Sequence, residues 1–382
     1  MHRVVVLGGG VGGTLTANLV ARKLKREIAA GDAQVTVVDA TGAHAYQPGY
    51  MYIAMGQERA EKLVKPERSL LDRNVELEIA TVTRIDTAAQ TVTLGTGTEL
   101  RYDQLVIATG SRIVPEELAG FESEAQHFYS AEAAARLRKA LDGFTGGRIV
   151  IGIAGIPYKC PPAPLEVAFL IESELRQRGL RDKTELTFLS PINRAFTIET
   201  TSKVVQPILE RRGIELATFF NVEAVLPEKK IVTSIEGEEL PYDLLVLVPP
   251  HRGAQLIEDS GLGDERGWVP VSRATLQHEK FDTIFAIGDA TNLPISKSGS
   301  TAHFEAPVVA SQIAARIHGT TARENYGGRV MCFLETGHRQ ATTIRFDYDH
   351  PPVSPRPSPL WHYAKWAFNR AYWVTVPQGR VA

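Results

Sequence analysis

The chain has 382 residues, 43% of them hydrophobic and 23% charged, which is enough to bury a large core in two domains plus an extension. A formal charge of -2, with no Lys/Arg-rich block, gives no basic field for nucleic acid. No run of about eighteen apolar residues is present to span a bilayer, and the two cysteines are too few for a secreted disulfide framework and too scattered for a metal site.

Residues 2–7 form an apolar, β-rich run that meets glycines at once. This reads as a first strand rather than a signal peptide, so the expectation is a chain that starts in the cytoplasm. A glycine turn at 8–13, a helix over 14–25 and a strand over 34–38 complete a βαβ unit. Gly8, Gly10 and Gly13 fit G-x-G-x-x-G, where missing side chains let the backbone approach a pyrophosphate at a helix N-terminus. Asp39 closes the next strand and supplies a carboxylate for an adenosine ribose. A further apolar strand, 102–107, runs into Ala108-Thr109-Gly110.

A second βαβ unit starts at 147–152 and continues through a Pro-rich turn, a helix over 165–178 and a strand over 185–189. Segment 242–250 echoes 102–110, so the two halves share an architecture of two tandem parallel-sheet domains of Rossmann type. The second turn retains only Gly152 and Gly155. Pro157, Pro161, Pro162 and Pro164 stand where backbone N–H groups would have to face a pyrophosphate, which disfavours a nicotinamide cofactor. The turn carries Cys160 instead, just before a helix and beside Lys159, where the helix dipole and the cation would both favour a thiolate. Taken alone, such a thiol is more often a buried, inert one than a reactive one.

After 281–289, which ends Ile287-Gly288-Asp289, comes a small-residue helix over 304–317. Strands follow from about 327, then a Pro-punctuated linker over 351–359. The last stretch, 360–373, holds three of the four tryptophans, and no acidic residue follows Asp349. Aromatic rings interleaved with Lys365 and Arg370 suit an amphipathic segment in the headgroup region of a membrane, and packing over the core is the other reading.

The stretch Tyr158-Lys159-Cys160-Pro161-Pro162-Ala163-Pro164 followed by Glu166, with Cys332 far downstream, resembles the sulfide:quinone oxidoreductases and the flavoprotein subunit of flavocytochrome c sulfide dehydrogenase. Thr109-Gly110 and Gly288-Asp289 resemble the later motifs of the wider two-dinucleotide-domain flavoproteins. The resemblance implies a glutathione-reductase-like α/β fold with FAD as cofactor, held by Gly8, Gly10, Gly13, Asp39, Thr109, Gly110, Gly288 and Asp289, and Lys297 at the flavin pyrimidine edge. It implies an FAD unit of residues 1–112 and 250–325, a second Rossmann-like unit of 113–249 that does not bind NAD, and a C-terminal quinone and membrane region of 326–382.

The resemblance also implies a redox pair. Hydrosulfide would attack a Cys160–Cys332 disulfide, Cys160 carrying the growing sulfur and Cys332 standing as the thiolate next to flavin C4a, with zero-valent sulfur or polysulfide as product. Glu166 is a candidate proton handler, although an ordinary helix N-terminal Glu reads as well. Lys365 and Phe333 correspond to quinone-side positions. The expected partners are sulfide, a quinone and the surface of the cell membrane, bound peripherally; self-association into a homo-oligomer is left open, and no metal or nucleic acid is expected.

Two departures stand out. No cysteine lies between 111 and 147, where many members have a third, and none lies near Tyr46-Gln47-Pro48-Gly49-Tyr50 for a thioether flavin link. The rival readings are a flavocytochrome-type flavoprotein, a type II NADH:quinone oxidoreductase and a flavoprotein serving only as a scaffold.

Overall fold

The computed structural model describes residues 1–380. The opening apolar run forms a strand, His2–Leu7, whose central residues are buried on both faces, as expected of a parallel strand covered by helices. It lies at the centre of a five-stranded parallel sheet, flanked by Ala33–Asp39 and Val75–Ile79 on one side and by Gln104–Ile107 and Ile284–Ala286 on the other. The glycine turn leads into helix Val11–Lys23, which packs along the small-residue helix Gly299–Ile317.

That second helix starts five residues earlier than the sequence pattern suggests. Ser298 caps it by accepting a hydrogen bond from the Thr301 backbone N–H at 3.3 Å, which extends the helix back to Gly299.

The second half repeats the plan. Gly147–Ile153 pairs in parallel with Thr184–Leu189 and Leu244–Val248, and Ile214–Ala217 completes a four-stranded sheet. In both halves a three-stranded antiparallel ribbon precedes the return strand: residues 82–101 lead to Gln104–Ile107, and 222–241 lead to Leu244–Val248. The chain crosses between the halves twice, and the crossings run side by side as an antiparallel pair of Arg112–Ile113 with His251–Arg252. The mixed α/β class with two parallel sheets follows from these near-continuous apolar strands alternating with helices.

Helix Ala163–Gln177 buries Leu165, Ala168, Phe169 and Leu175 at helical spacing against the second sheet. Across it lies the antiparallel hairpin of Val330–Gly337 with Gln340–Phe346. At the hairpin tip, Gly337 has φ +71°, and a Cβ there would stand 2.6 Å from the Phe169 carbonyl oxygen, so only glycine lets the hairpin sit this close to the helix. Buried Glu172 fixes the same corner through His338 at 3.0 Å and Arg212 at 3.6 Å. The terminal aromatic segment is a helix, Pro359–Thr375, which packs on the hairpin. No helix among the described residues is long and apolar enough to cross a membrane.

Candidate active site

The first glycine turn has the geometry of a dinucleotide cradle. Gly8 has φ +104°, and a Cβ there would meet the Ala108 carbonyl oxygen at 2.5 Å; a Cβ on Gly13 would lie 1.9 Å from the Gly8 oxygen. Gly10 faces open space, with nothing within 4 Å of its would-be Cβ, so the turn is tight behind and open in front, as a phosphate group requires. Along the same rim the Thr109 and Ser111 hydroxyls are buried without a hydrogen-bond partner, and Gly288 and Asp289 follow the edge strand Ile284–Ala286. Orphaned buried donors beside an open glycine turn fit FAD, which Gly8, Gly10, Gly13, Thr109, Gly110, Gly288 and Asp289 would hold.

Asp39 stands at the end of its strand, but much of its carboxylate is already used. It accepts from the backbone N–H groups of Gly9, Thr41 and Gly42 and from the Thr41 hydroxyl at 2.8–2.9 Å. Burial raises its pKa, and these bonds outweigh that and hold it below the usual carboxylate range. The residue therefore shapes the turn itself.

A buried acid absent from the sequence reading lies beneath this rim. Glu305 accepts from the Gly288 N–H at 2.5 Å, and its other oxygen has no partner. Burial pushes its pKa up to about 8, so it holds the Gly288–Asp289 turn as a neutral acid at pH 7. A lone acid in the small-residue run Gly299–Ile317 was the available sign of it.

The Pro-rich second turn has few free backbone donors. Gly152 packs against Leu189, where a Cβ would stand 2.7 Å from the Leu189 Cβ. Pro162 and Pro164 have no N–H to offer, the Cys160 N–H donates to the Lys297 carbonyl at 2.7 Å, and the Ala163 N–H donates to the Cys160 carbonyl at 2.8 Å. Cys160 itself sits in the left-handed region at φ +53°, which a non-glycine residue adopts at a cost of about 1–3 kcal/mol.

The two cysteines, far apart along the chain, pack against the same apolar cluster and each is half-buried. The same short segment holds both: the Cys160 N–H donates to the Lys297 carbonyl at 2.7 Å, and Cys332 Sγ lies 4.0 Å from the hydroxyl of the next residue, Ser298. Hairpin strand Val330–Gly337 brings Cys332 in. Cys332 opens onto a cavity of about 460 Å³, walled by Pro157, Pro161, Trp268, Leu293 and Phe346, with Lys297 in its lining.

The expectation that Lys159 and the helix dipole would hold Cys160 as a thiolate is not met. The Lys159 ammonium turns away, donating to the Gln47 side chain at 3.2 Å and the Ser111 carbonyl at 3.5 Å. Burial drives the Cys160 thiol well up, and the one cation that opposes this is Lys365. Burial also raises Cys332, to about 11, against hydrogen bonding from Ser298.

Lys365 and Glu166 form a buried ion pair, their side chains 8% and 1% exposed. Glu166 also accepts from the Glu335 backbone N–H at 2.6 Å. Burial alone would lower the Lys365 pKa, but Glu166 outweighs it, so the ammonium is retained. Lys297 donates to the Asp289 and Thr291 carbonyls at 3.0 and 2.7 Å and lies 3.8 Å from the centre of the Trp268 ring. Burial lowers its pKa to about 8. Phe333 is half-buried and pairs with Phe368 of the terminal helix at 6.2 Å between ring centres.

Residues 2–158 match the pyridine nucleotide-disulphide oxidoreductase family. The mitochondrial sulfide:quinone oxidoreductase of Mus musculus is 27% identical over 93% of this chain and 80% of its own length. The sulfide-quinone reductase of Aquifex aeolicus is 27% identical over 99% of this chain and 92% of its own. The crystal structure of the Aquifex aeolicus sulfide:quinone oxidoreductase superposes with a TM-score of 0.89 at 26% identity, covering 100% of this chain and 93% of that one. The chain is a flavin-dependent oxidoreductase with FAD as its cofactor, and over nearly its whole length it is similar to the sulfide:quinone oxidoreductases.

Proposed function

We propose that the chain oxidises hydrosulfide at the Cys160–Cys332 pair and delivers the electron pair through FAD to a membrane quinone, leaving sulfur at the zero-valent level. The supporting observation is that the chain's two cysteines pack on one apolar cluster at the Lys297–Ser298 segment, with a buried acid-base pair at the helix that follows Cys160 and Cys332 opening onto an apolar cavity. Hydrosulfide attacks the Cys160–Cys332 disulfide. The S–S bond breaks, Cys160 takes the new sulfur as a persulfide, and Cys332 leaves as the thiolate bearing the electron pair. Bound FAD supplies a two-electron carrier between that thiolate and the quinone. The Lys365 ammonium favours thiolate formation at both cysteines, and Glu166 beside it takes the proton lost from the incoming sulfur species. Asp289, Gly288 and Lys297 hold the cofactor at the edge where residues 250–325 rejoin 1–112, with 113–249 as the second unit and 326–382 as the quinone and membrane contact.

Membrane contact is supported by the outer face of the terminal helix. Leu360, Tyr363, Trp366, Phe368 and Val374 are 69, 55, 52, 42 and 52% exposed, while Lys365 and Tyr372 point inward. Such exposed apolar side chains, with Arg370 stacked 3.5 Å from the Trp366 ring centre, suit the interfacial zone where a lipid-soluble quinone is met.

Anaerobic stopped-flow spectroscopy tests the reading. Sulfide bleaches the bound flavin, a quinone analogue restores it and NADH does neither. Bleaching by NADH with indifference to sulfide would overturn the proposal in favour of a type II NADH:quinone oxidoreductase.

A further inference from the structure

From the buried Glu166–Lys365 pair a series of polar groups continues toward the surface. The Glu335 side chain, 2% exposed, lies on the strand that carries Cys332. Its carboxylate meets His362 Nδ1 at 3.0 and 3.1 Å and accepts from the Tyr52 hydroxyl at 3.3 Å. The Lys365 ammonium lies 5.6 Å from the centre of the Tyr52 ring. His362 is in the first turn of the terminal helix, one turn before Lys365, and is 24% exposed. The groups facing this series are therefore Glu166 from the helix after Cys160, Tyr52 from the first unit, and Lys365 and Tyr363 from the terminal helix; Arg345 is engaged by the Trp361 ring.

Proton balance gives such a series a task. Oxidising one hydrosulfide to zero-valent sulfur releases one proton and two electrons, whereas reducing a quinone to the quinol takes two electrons and two protons. One proton per turnover must enter from water. Resting on the function proposed above, we infer that His362, Glu335 and Tyr52 form a proton relay that refills Lys365 from the base of the membrane-facing helix during quinone reduction. Lys365 gives a proton to the reduced quinone oxygen. The Tyr52 hydroxyl passes its proton to the lysine amine and takes one from Glu335, whose carboxylate has just received it from the His362 imidazolium. Water supplies the proton of that imidazolium. Each group ends as it began, and one proton has moved inward. Glu335 and His362 act through Lys365 and are positioning residues rather than catalytic ones.

The test uses the full-length, FAD-loaded enzyme with His362→Ala and Glu335→Gln. The flavin is reduced either by sulfide or by dithionite, then mixed with a water-soluble ubiquinone analogue. Reduction by sulfide should stay within about twofold of wild type. Reoxidation by the quinone should slow by about tenfold or more at pH 8 and recover toward wild type near pH 5.5, where protons are abundant. Added imidazole should restore His362→Ala and leave Glu335→Gln slow. Unchanged reoxidation in both variants at pH 8 overturns the relay. So does an equal loss at every pH with no rescue, which is the mark of a counter-ion that only supports the fold. Failure of sulfide to bleach the wild type would instead remove the proposed function, and the dithionite arm keeps the two failures apart.

Discussion

Cys332 keeps its proton at neutral pH because burial raises its thiol to about 11, and Ser298 offsets only part of that. Alkylation needs the thiolate, so iodoacetamide labelling of the reduced enzyme should be slow at pH 7 and climb steadily toward pH 11. Cys332 opens onto the cavity and should be labelled before Cys160, as peptide mass spectrometry would show; rapid labelling of Cys160 at pH 7 would contradict this arrangement. Cys332→Ser should keep its FAD and lose reduction by sulfide by at least about a hundredfold, measured as flavin bleaching. Lys297 titrates in the opposite sense. Burial lowers it to about 8, so the cation is present at pH 7 and lost as pH rises through 8. The first glycine turn was legible in the sequence because no other residue type tolerates a Cβ 1.9 Å from a carbonyl oxygen, as at Gly13. Lys159 was misread for a different reason. Adjacency in sequence does not give side-chain direction, and here the isolated bridge between Lys159 and Lys297, with φ +53° at Cys160, turns the ammonium toward Gln47 and Ser111.

At the scale of elements, alternation of apolar strands with helices carried both parallel sheets, because each period is local and each strand is covered on both faces. The start of helix Gly299–Ile317 was missed because a serine cap is a weaker sign than an apolar stripe. The terminal helix was legible as amphipathic, but not which side faces in. Lys365 is a charge that a sequence reading places in water, and only the buried Glu166 from another element explains its burial. Deleting the segment would be a poor test of membrane contact. Tyr372 bonds buried His44 at 2.7 Å, and the Pro377 carbonyl accepts from Asn18 at 2.8 Å, so the core would be damaged. The double substitution Leu360→Ser with Trp366→Ser touches two exposed side chains of the outer face. It should leave thermal stability within about 0.5 kcal/mol per site, as at other exposed positions. Removing two large apolar groups should weaken flotation with anionic liposomes by tenfold or more, on the order of 1.5–3 kcal/mol for each fully inserted side chain. Unchanged flotation would return that face to solvent.

For the whole molecule, the Glu166–Lys365 pair is a junction of three parts. Glu166 stands on the helix that follows Cys160 in the second unit, it accepts from the hairpin at Glu335, and Lys365 belongs to the terminal helix, which is tied to the first unit through His44 and Asn18. A buried ion pair is weak evidence for net stability, because desolvation of two charges offsets most of their attraction. Removing one partner is another matter, since it leaves an uncompensated charge with the other contacts intact. Glu166→Leu alone and Lys365→Met alone should each lower the unfolding free energy of the FAD-loaded protein by about 3–5 kcal/mol, read from urea denaturation curves. The double variant should recover most of that loss, because two apolar side chains of similar volume can fill the same space. Its turnover with sulfide and quinone should nevertheless stay at the level of the worse single variant, since neither the proton acceptor beside the cysteines nor the ammonium at the end of the relay is restored. A double variant that regained stability and activity together would mean that the pair only holds the three parts in place, and the proton chemistry would then have to lie elsewhere in the site.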